Sequence, residues 1–376
     1  MEFRDLKAQY QKLKKEIDEA VLGVMERAQF ISGPEVKQLE AELAEYIGVE
    51  HCITCANGTD AMELVLLAWG IGEGDAVFVP TFSFMSTAEV VAYLGARPIF
   101  VDIDADTYNI DPLKLEEAIE RTIEEGIFKP KAIIPVDLFG LPADYDRIIP
   151  IAKKHGLKVL EDGAQGFGGS INGKRACSFG DAATTSFFPA KPLGCYGDGG
   201  AIFTDDDELA SLIGSLAVHG KGQGKYDNVR IGRNSRLDTI QAAVLVVKLK
   251  AFTEYEIDAV NKMAAVYTAE LKTSVKTPIV PGGFYSSWAQ YTIRVESEEC
   301  RNYLQERLKE IGIPSMIYYP RPLHLQTAFS YCEHQEGDFP EAEEASRCVL
   351  SLPVHAYFQR QEIHKVTFQV IDGMRQ

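Results

Sequence analysis

Residues 184–204, TTSFFPAKPLGCYGDGGAIFT, set one lysine, Lys191, in a turn between two short apolar runs, 184–188 and 201–203. Each run has the length of a strand buried on both faces, and the turn between them carries Pro189, Pro192 and a glycine-rich return. Upstream, residues 157–169, LKVLEDGAQGFGG, repeat the arrangement: a run at 158–160 leads directly into Glu161 and Asp162. Further out, strand patterns at 76–80, 98–101 and 131–136 alternate with helical patterns at 61–69, 87–94, 113–124 and 144–154. Such alternation predicts an α/β fold with a mostly parallel sheet covered on both faces.

The flanks read differently. Leu6, Tyr10, Leu13, Ile17, Val21 and Val24 recur at helical spacing, and Ser32-Gly33-Pro34 opens a second helix with Val36, Leu39, Leu43 and Ile47 on one face. A long helix is expected from Arg236 to about residue 260, followed by a break at Pro278, Pro281, Gly282 and Gly283. Beyond it lie a strand pattern at 290–295 and helical patterns at 299–311 and 361–374. This predicts a large α/β domain at 15–250 and a smaller α+β domain at 251–376, with residues 1–14 packing near the smaller one.

Composition narrows the class. The 376 residues are 46% hydrophobic and 25% charged, enough for a large core without staples. The 55 acidic residues outnumber 38 Lys and Arg, giving a net charge of -17, which argues against nucleic acid or anionic membrane as partners. The start lacks the uninterrupted apolar core of a signal peptide, and no run approaches the ~18 apolar residues that span a bilayer. Seven scattered cysteines suit reduced thiols, so a cytoplasmic protein is expected.

Ligands of open α/β sheets bind beyond the carboxyl ends of the strands, which draws attention to three segments. Lys191 lies between prolines and beside Phe187, Phe188 and Tyr196, where desolvation would favour the neutral, nucleophilic amine. From that segment alone a surface-loop lysine is the simpler reading. Asp162, after the preceding strand, is the acid that pyridoxal phosphate needs at its ring nitrogen, although Asp after a strand commonly just caps a turn. Gly58-Thr59-Asp60 open a helix whose amides and dipole suit a phosphate, with Ser186 as a further donor; a plain turn and an ordinary N-cap fit the same residues.

Between 221 and 236, Lys221, Lys225, Arg230, Arg233 and Arg236 face the single acid Asp227, an inversion of the overall charge. A glycine-rich anion-binding loop is expected, the alternative being a basic face that pairs with the chain's own acids. Cys52 and Cys55 form one CxxC with no second pair, and the histidines show no metal spacing, so no metal site is expected. Gly166, Gly168 and Gly169 fail the dinucleotide pattern because Ile171 takes the last glycine's place.

The blocks FISGPEV at 30–36, CANGTDA at 55–61, EDGAQGFG at 161–168, TSFFPAKPLGCYGDGGAIFT at 185–204, NSRLDTIQAA at 234–243 and YYPRPLHLQ at 318–326 resemble the DegT/DnrJ/EryC1/StrS family of nucleotide-sugar aminotransferases. The resemblance implies the aspartate aminotransferase fold (fold type I) and pyridoxal 5'-phosphate as cofactor. It implies that Lys191 bonds the cofactor and shuttles a proton, while Asp162 holds the ring nitrogen and Gln165 the phenolic oxygen. Gly58, Thr59 and Ser186 would hold the phosphate, Phe84 would stack on the ring, and Asn234 would reach the phosphate of a neighbouring subunit in a homodimer. Arg236, Tyr318 and Tyr319 would handle substrate anion and sugar, with His324 nearby. Family dehydratases carry histidine in place of the lysine, so Lys191 favours transamination.

Arg233 is an extra cation before NSRLD and is expected to serve a uronic-acid carboxylate. The expected reaction passes the amine of glutamate to a nucleotide-linked keto-sugar, a UDP-2-acetamido-3-keto sugar or its uronic acid, with a 4-keto sugar as the alternative. A pyridoxal-phosphate-binding regulator without turnover is the alternative of another class. Sulfur removal would need a mobile cysteine, and only Cys332 lies in a polar stretch.

Overall fold

The computed structural model describes residues 1–224 and 226–375. In chain order the elements are α1 (Leu6–Arg27), α2 (Pro34–Ile47), β1 (His51–Cys55), α3 (Gly58–Ala68), β2 (Asp75–Pro80), α4 (Ser86–Tyr93), β3 (Arg97–Val101), α5 (Pro112–Glu125), β4 (Lys129–Ile133), α6 (Tyr145–His155) and β5 (Lys158–Asp162). A short hairpin, β6 (Ser170–Ile171) and β7 (Lys174–Arg175), precedes β8 (Ala182–Ser186), β9 (Gly200–Thr204) and α7 (Asp207–Leu216). Then come α8 (Thr239–Ala251), α9 (Ile257–Leu271), β10 (Phe284–Tyr285), β11 (Tyr291–Arg294), α10 (Glu298–Glu310), α11 (Pro340–Cys348), β12 (Val349–Leu352) and α12 (Arg360–Gly373).

Seven strands form one sheet in the order β1-β9-β8-β5-β4-β2-β3. All neighbours pair in parallel except those of β9, which runs against both β1 and β8. The apolar runs are strands because both faces are covered. Val77 and Val79 enter the cluster on one side of the sheet, with Leu64 and Val65 of α3, while Phe78 points into the other, with Leu115 of α5 and Ile148 of α6. A separate cluster unites Val260 and Tyr267 of α9, Tyr291 and Ile293 of β11, Leu304 of α10, Leu350 of β12 and Val366 of α12. The β11·β12 pair is antiparallel.

Three boundaries differ from the sequence expectation. The strand expected at 131–136 is β4, ending at Ile133, because Pro135 has no N–H for the ladder. The run at 158–160 extends to Asp162, so both acids end the strand rather than follow it. The long helix begins at Thr239, widens into a π-helical stretch at Phe252–Glu256 and continues as α9. Among the described residues no helix is long and apolar enough to cross a membrane.

Candidate active site

The carboxyl ends of β5 and β8 lie side by side, with Asp162 paired to Thr184 in the ladder. The chain that leaves β8 folds into a turn fixed from within: Phe187 N donates to Gly199 O at 2.8 Å, Cys195 N to Phe187 O at 2.8 Å, and Lys191 N to Phe188 O at 2.8 Å. Gly194 has no room for a side chain, since a Cβ there would lie 2.5 Å from Pro189 O. The Lys248 amine of α8 donates to the Gly194 carbonyl and ties the turn to the helix behind it. Lys191 is thus carried on a rigid turn at the mouth of the sheet.

Burial lowers the Lys191 pKa; the Asp162 carboxylate opposes that fall and the Arg4 cation adds to it. Asp162 is buried, and burial raises its pKa against the pull of Lys191, the Ala164 amide and the Thr87 hydroxyl. Its Oδ1 accepts from Ala164 N at 3.2 Å and its Oδ2 from Thr87 Oγ1 at 3.0 Å. A carboxylate held by two donors and a nearby amine is suited to a cationic ring nitrogen.

A small-residue cradle adjoins them at the start of α3. Asn57 caps the helix by accepting from Asp60 N at 2.8 Å, which leaves the first amides of α3 without intrahelical acceptors. A Cβ on Gly58 would lie 2.8 Å from Ser186 Cβ, so glycine is what brings the helix start against the end of β8. Gly200 is held to glycine in the same way, by Asn57 C at 2.5 Å. Thr59 Oγ1 and Ser86 Oγ stand 2.7 Å apart, adding hydroxyls at the rim. Amides, hydroxyls and a helix N-terminus are groups that suit a phosphate.

Gln165 is anchored on both ends of its amide, accepting from Phe139 N at 2.7 Å and donating to Tyr319 OH at 3.1 Å. Phe84, 55% exposed at the approach to α4, has its ring centroid 6.2 Å from that of Tyr319. Tyr318 contacts the Tyr319 ring at 5.8 Å and the Phe3 ring at 6.3 Å. Ser235 Oγ accepts from Ala56 N at 3.1 Å, which places Asn234 and Arg236 beside the loop leading into α3. Arg236 keeps a buried Nε without a partner among the described residues, and Asn234 is exposed.

Two expected substrate residues stand otherwise engaged. His324 is a correction: its buried ring has Nδ1 2.6 Å from Thr81 Oγ1 and Nε2 3.2 Å from Glu343 Oε1, so neither nitrogen is left for a substrate. Arg233 pairs with Glu63 of α3 and lies 5.1 Å over the Tyr93 ring, which is the alternative of a basic residue answering the chain's own acid. In the same segment, Lys225 lies outside the described residues.

Two participants escaped the sequence reading. Thr87 is the second residue of α4 and looks like any buried threonine in sequence. Arg4 precedes the N-cap of α1, yet its guanidinium donates to Pro192 O at 3.4 Å and lines the same cavity as Lys191.

A buried acid facing a desolvated amine, beside an anion cradle that a single methyl group would fill, fits pyridoxal phosphate, and the fold and site define a pyridoxal-phosphate-dependent aminotransferase of fold type I. The chain belongs to the DegT/DnrJ/EryC1/StrS aminotransferase family, whose model matches residues 11–371. It is 47% identical to the UDP-2-acetamido-2-deoxy-3-oxo-D-glucuronate aminotransferase of Pseudomonas aeruginosa, over 96% of this chain and 97% of that one. It is 45% identical to a pleiotropic regulatory protein of Geobacillus stearothermophilus, over 99% and 98%. The crystal structure of a DegT/DnrJ/EryC1/StrS aminotransferase from Brucella abortus superposes with a TM-score of 0.96 at 50% identity, covering 98% of each chain.

Proposed function

We propose that this chain transfers the amino group of glutamate to a UDP-linked 2-acetamido sugar carrying a 3-keto group, in its uronic-acid form. The observation that carries the chemistry is that the buried Asp162 carboxyl at the end of β5 lies within electrostatic reach of the buried Lys191 amine. The sugar is carried over from the Pseudomonas relative.

When bound, pyridoxal phosphate supplies an electron sink that stabilises charge on the carbon losing its proton. The protein's part is positional. Gly58, Thr59 and Ser186 would hold the phosphate, Phe84 would stack on the ring, and Gln165 would contact the phenolic oxygen. Asp162, whose carboxylate form is favoured by the Thr87 and Ala164 donors against burial, would hold a proton at the ring nitrogen. Burial favours the neutral form of the Lys191 amine, the form that would take the proton from the donor's carbon and return it to the sugar's. Arg236 and Tyr318 face the substrate.

The site is shared in a homodimer, a reading supported by the exposure of Asn234 and by Ile231, 95% exposed in the loop next to it. The chain divides near residue 250, as the self-contained apolar cluster beyond Val260 supports. A cytoplasmic location suits a nucleotide-linked substrate.

The test is two-stage spectroscopy on the protein loaded with cofactor. Glutamate is expected to bleach the visible band, and a panel of UDP-linked 3-keto and 4-keto sugars to restore it, the 3-keto uronate fastest. Recovery only with a 4-keto sugar moves the substrate assignment. The likeness to the Geobacillus regulatory protein keeps a second reading, a regulator without turnover. Its signature is a visible band that glutamate leaves untouched.

A further inference from the structure

The N-terminal segment brings an unforeseen cation to the reacting centre. Arg4 lies just before the Asp5 cap of α1, and α1 packs on α8 through Leu13, Ile17 and Val244. That packing delivers the guanidinium into a cavity of about 30 Å³ lined also by Lys191, Lys248, Glu256, Ser287 and His355. Phe3, one residue earlier, meets the edge of the Tyr318 ring. Arg4 therefore stands between the catalytic amine and a tyrosine at the sugar-handling position.

Among the described residues no acid lies within ion-pair distance of Arg4, and Glu256 acts on it only from further away. A guanidinium offers five N–H donors, and Arg4 makes one hydrogen bond among the described residues, at 3.4 Å to the Pro192 carbonyl. The two acids that line the cavity are committed elsewhere: Asp5 Oδ1 accepts from Ala8 N at 2.8 Å, and the Glu256 carboxylate accepts from Gln9 Nε2 at 2.9 and 3.1 Å and from Tyr357 OH at 2.5 Å. Burial lowers its pKa to about 10, which still leaves it charged at neutral pH. A half-satisfied planar fork beside a nucleophilic amine is the geometry that receives a carboxylate in two parallel hydrogen bonds.

We propose that Arg4 receives a carboxylate carried by the molecules that react at Lys191, and so sets which of them the site accepts. The proposal rests on the aminotransferase reading above and names the residue that recognises its substrates. Two sources offer this chemistry, the α-carboxylate of the amino donor and the uronate of the acceptor sugar. Arg233, expected from sequence to hold the uronate, has its charge met by Glu63 instead.

Calorimetric titration of the cofactor-loaded protein with unreactive probes tests it: glutarate for the donor, UDP-glucuronate for the acceptor, and UDP-glucose as the neutral control. Arg4→Gln is expected to weaken glutarate, UDP-glucuronate or both by roughly tenfold or more, with UDP-glucose little changed. The carboxylate that loses affinity identifies the source. Arg4→Lys, which keeps the charge but not the fork, is expected to fall between. Unchanged affinity for both carboxylates in Arg4→Gln, an equal loss for UDP-glucose, or a wild type that binds neither carboxylate overturns the proposal. Turnover is scored separately: a protein that binds these probes but never transfers an amine fails the transaminase reading, not the assignment of Arg4.

Discussion

Thr87 of α4 gives its hydroxyl hydrogen to Asp162 at the end of β5 across 3.0 Å, and Ser83 stands 2.9 Å from Thr87 Oγ1 to supply the next hydrogen in the chain. All three side chains are buried. The helix whose first residue, Ser86, meets Thr59 of the cradle thus also bears on the ionisation of the acid suited to a ring nitrogen. Burial pushes the Asp162 pKa up, and Thr87 is one of the groups that hold it down.

Thr87→Val removes that donor at nearly constant volume. A hydrogen bond to a charged group contributes about 1.5–3 kcal/mol, so kcat/KM should fall by roughly ten- to a hundredfold. The active form of Asp162 is the carboxylate. Loss of a group that lowers its pKa must therefore move the acid limb of the rate profile to higher pH. A variant slower at every pH with an unmoved limb would mean that Thr87 acts by packing alone.

Gly58→Ala probes the cradle. The added methyl would sit 2.8 Å from Ser186 Cβ, at a place where backbone on both sides is fixed. Cofactor affinity should drop by about tenfold or more, because the amides that would hold the phosphate are forced back. The expected readout is a shifted binding curve in visible absorbance, with the unfolding temperature of the cofactor-free protein changed by only a few degrees.

How much of this was legible in sequence follows from what each feature depends on. Lys191 and Asp162 were readable because strand runs are local patterns, and a residue at a strand end inherits its place from the fold class. The reversed strand β9 was not foreseen in the alternation, since strand order depends on pairing far along the chain. His324 was misread for the same reason: its partners Thr81 and Glu343 come from other segments, and only tertiary packing shows that both ring nitrogens are used. Arg4 carries no local signal at all. Whether a charged residue at the start of an amphipathic helix meets water or a cavity is decided by the helix it lands on, here α8.

Asp137 and Glu161 form a buried pair of acids behind Asp162. Burial raises both pKa values, that of Asp137 to about 7, and the neighbouring Asp137 raises Glu161 further, so the pair keeps one proton at neutral pH. Glu161 accepts from the Cys177 and Phe179 amides, and Asp137 Oδ1 from Ala143 N and Tyr145 OH at 2.9 Å each. Asp137 Oδ2 is the oxygen left without a partner, while both Glu161 oxygens already accept from amides, so an N–H at position 137 would supply the hydrogen the pair lacks. Asp137→Asn provides it and should be tolerated. Glu161→Gln sets an N–H against a backbone N–H and should cost about 1–3 kcal/mol. Since the folded pKa of Asp137 lies above the unfolded value, its contribution to stability is full below about pH 4 and is lost as pH rises through 7. Thermal unfolding at several pH values should show that slope in the wild type and not in Asp137→Asn.

Lys248 gives the last test, because it links stability to the lysine turn. Its side chain is 1% exposed, its amine donates to the Gly194 carbonyl, and the Tyr196 ring lies 4.9 Å beneath it. Burial lowers its pKa to about 8, with Glu256 opposing and Arg4 assisting. A depressed pKa makes the contribution of the lysine fullest above about pH 10.5 and progressively smaller as pH falls through 8. Lys248→Met fills similar space but leaves the Gly194 carbonyl without its donor, a loss of about 1–3 kcal/mol. The deficit of the variant relative to wild type should therefore be larger at pH 10 than at pH 7, where the wild-type amine already bears the cost of charge burial. Turnover should fall as well, since Gly194 belongs to the turn that aims Lys191. An equal deficit at both pH values would show that the buried amine does not titrate in this range, and would break the link between its charge and the rigidity of the turn.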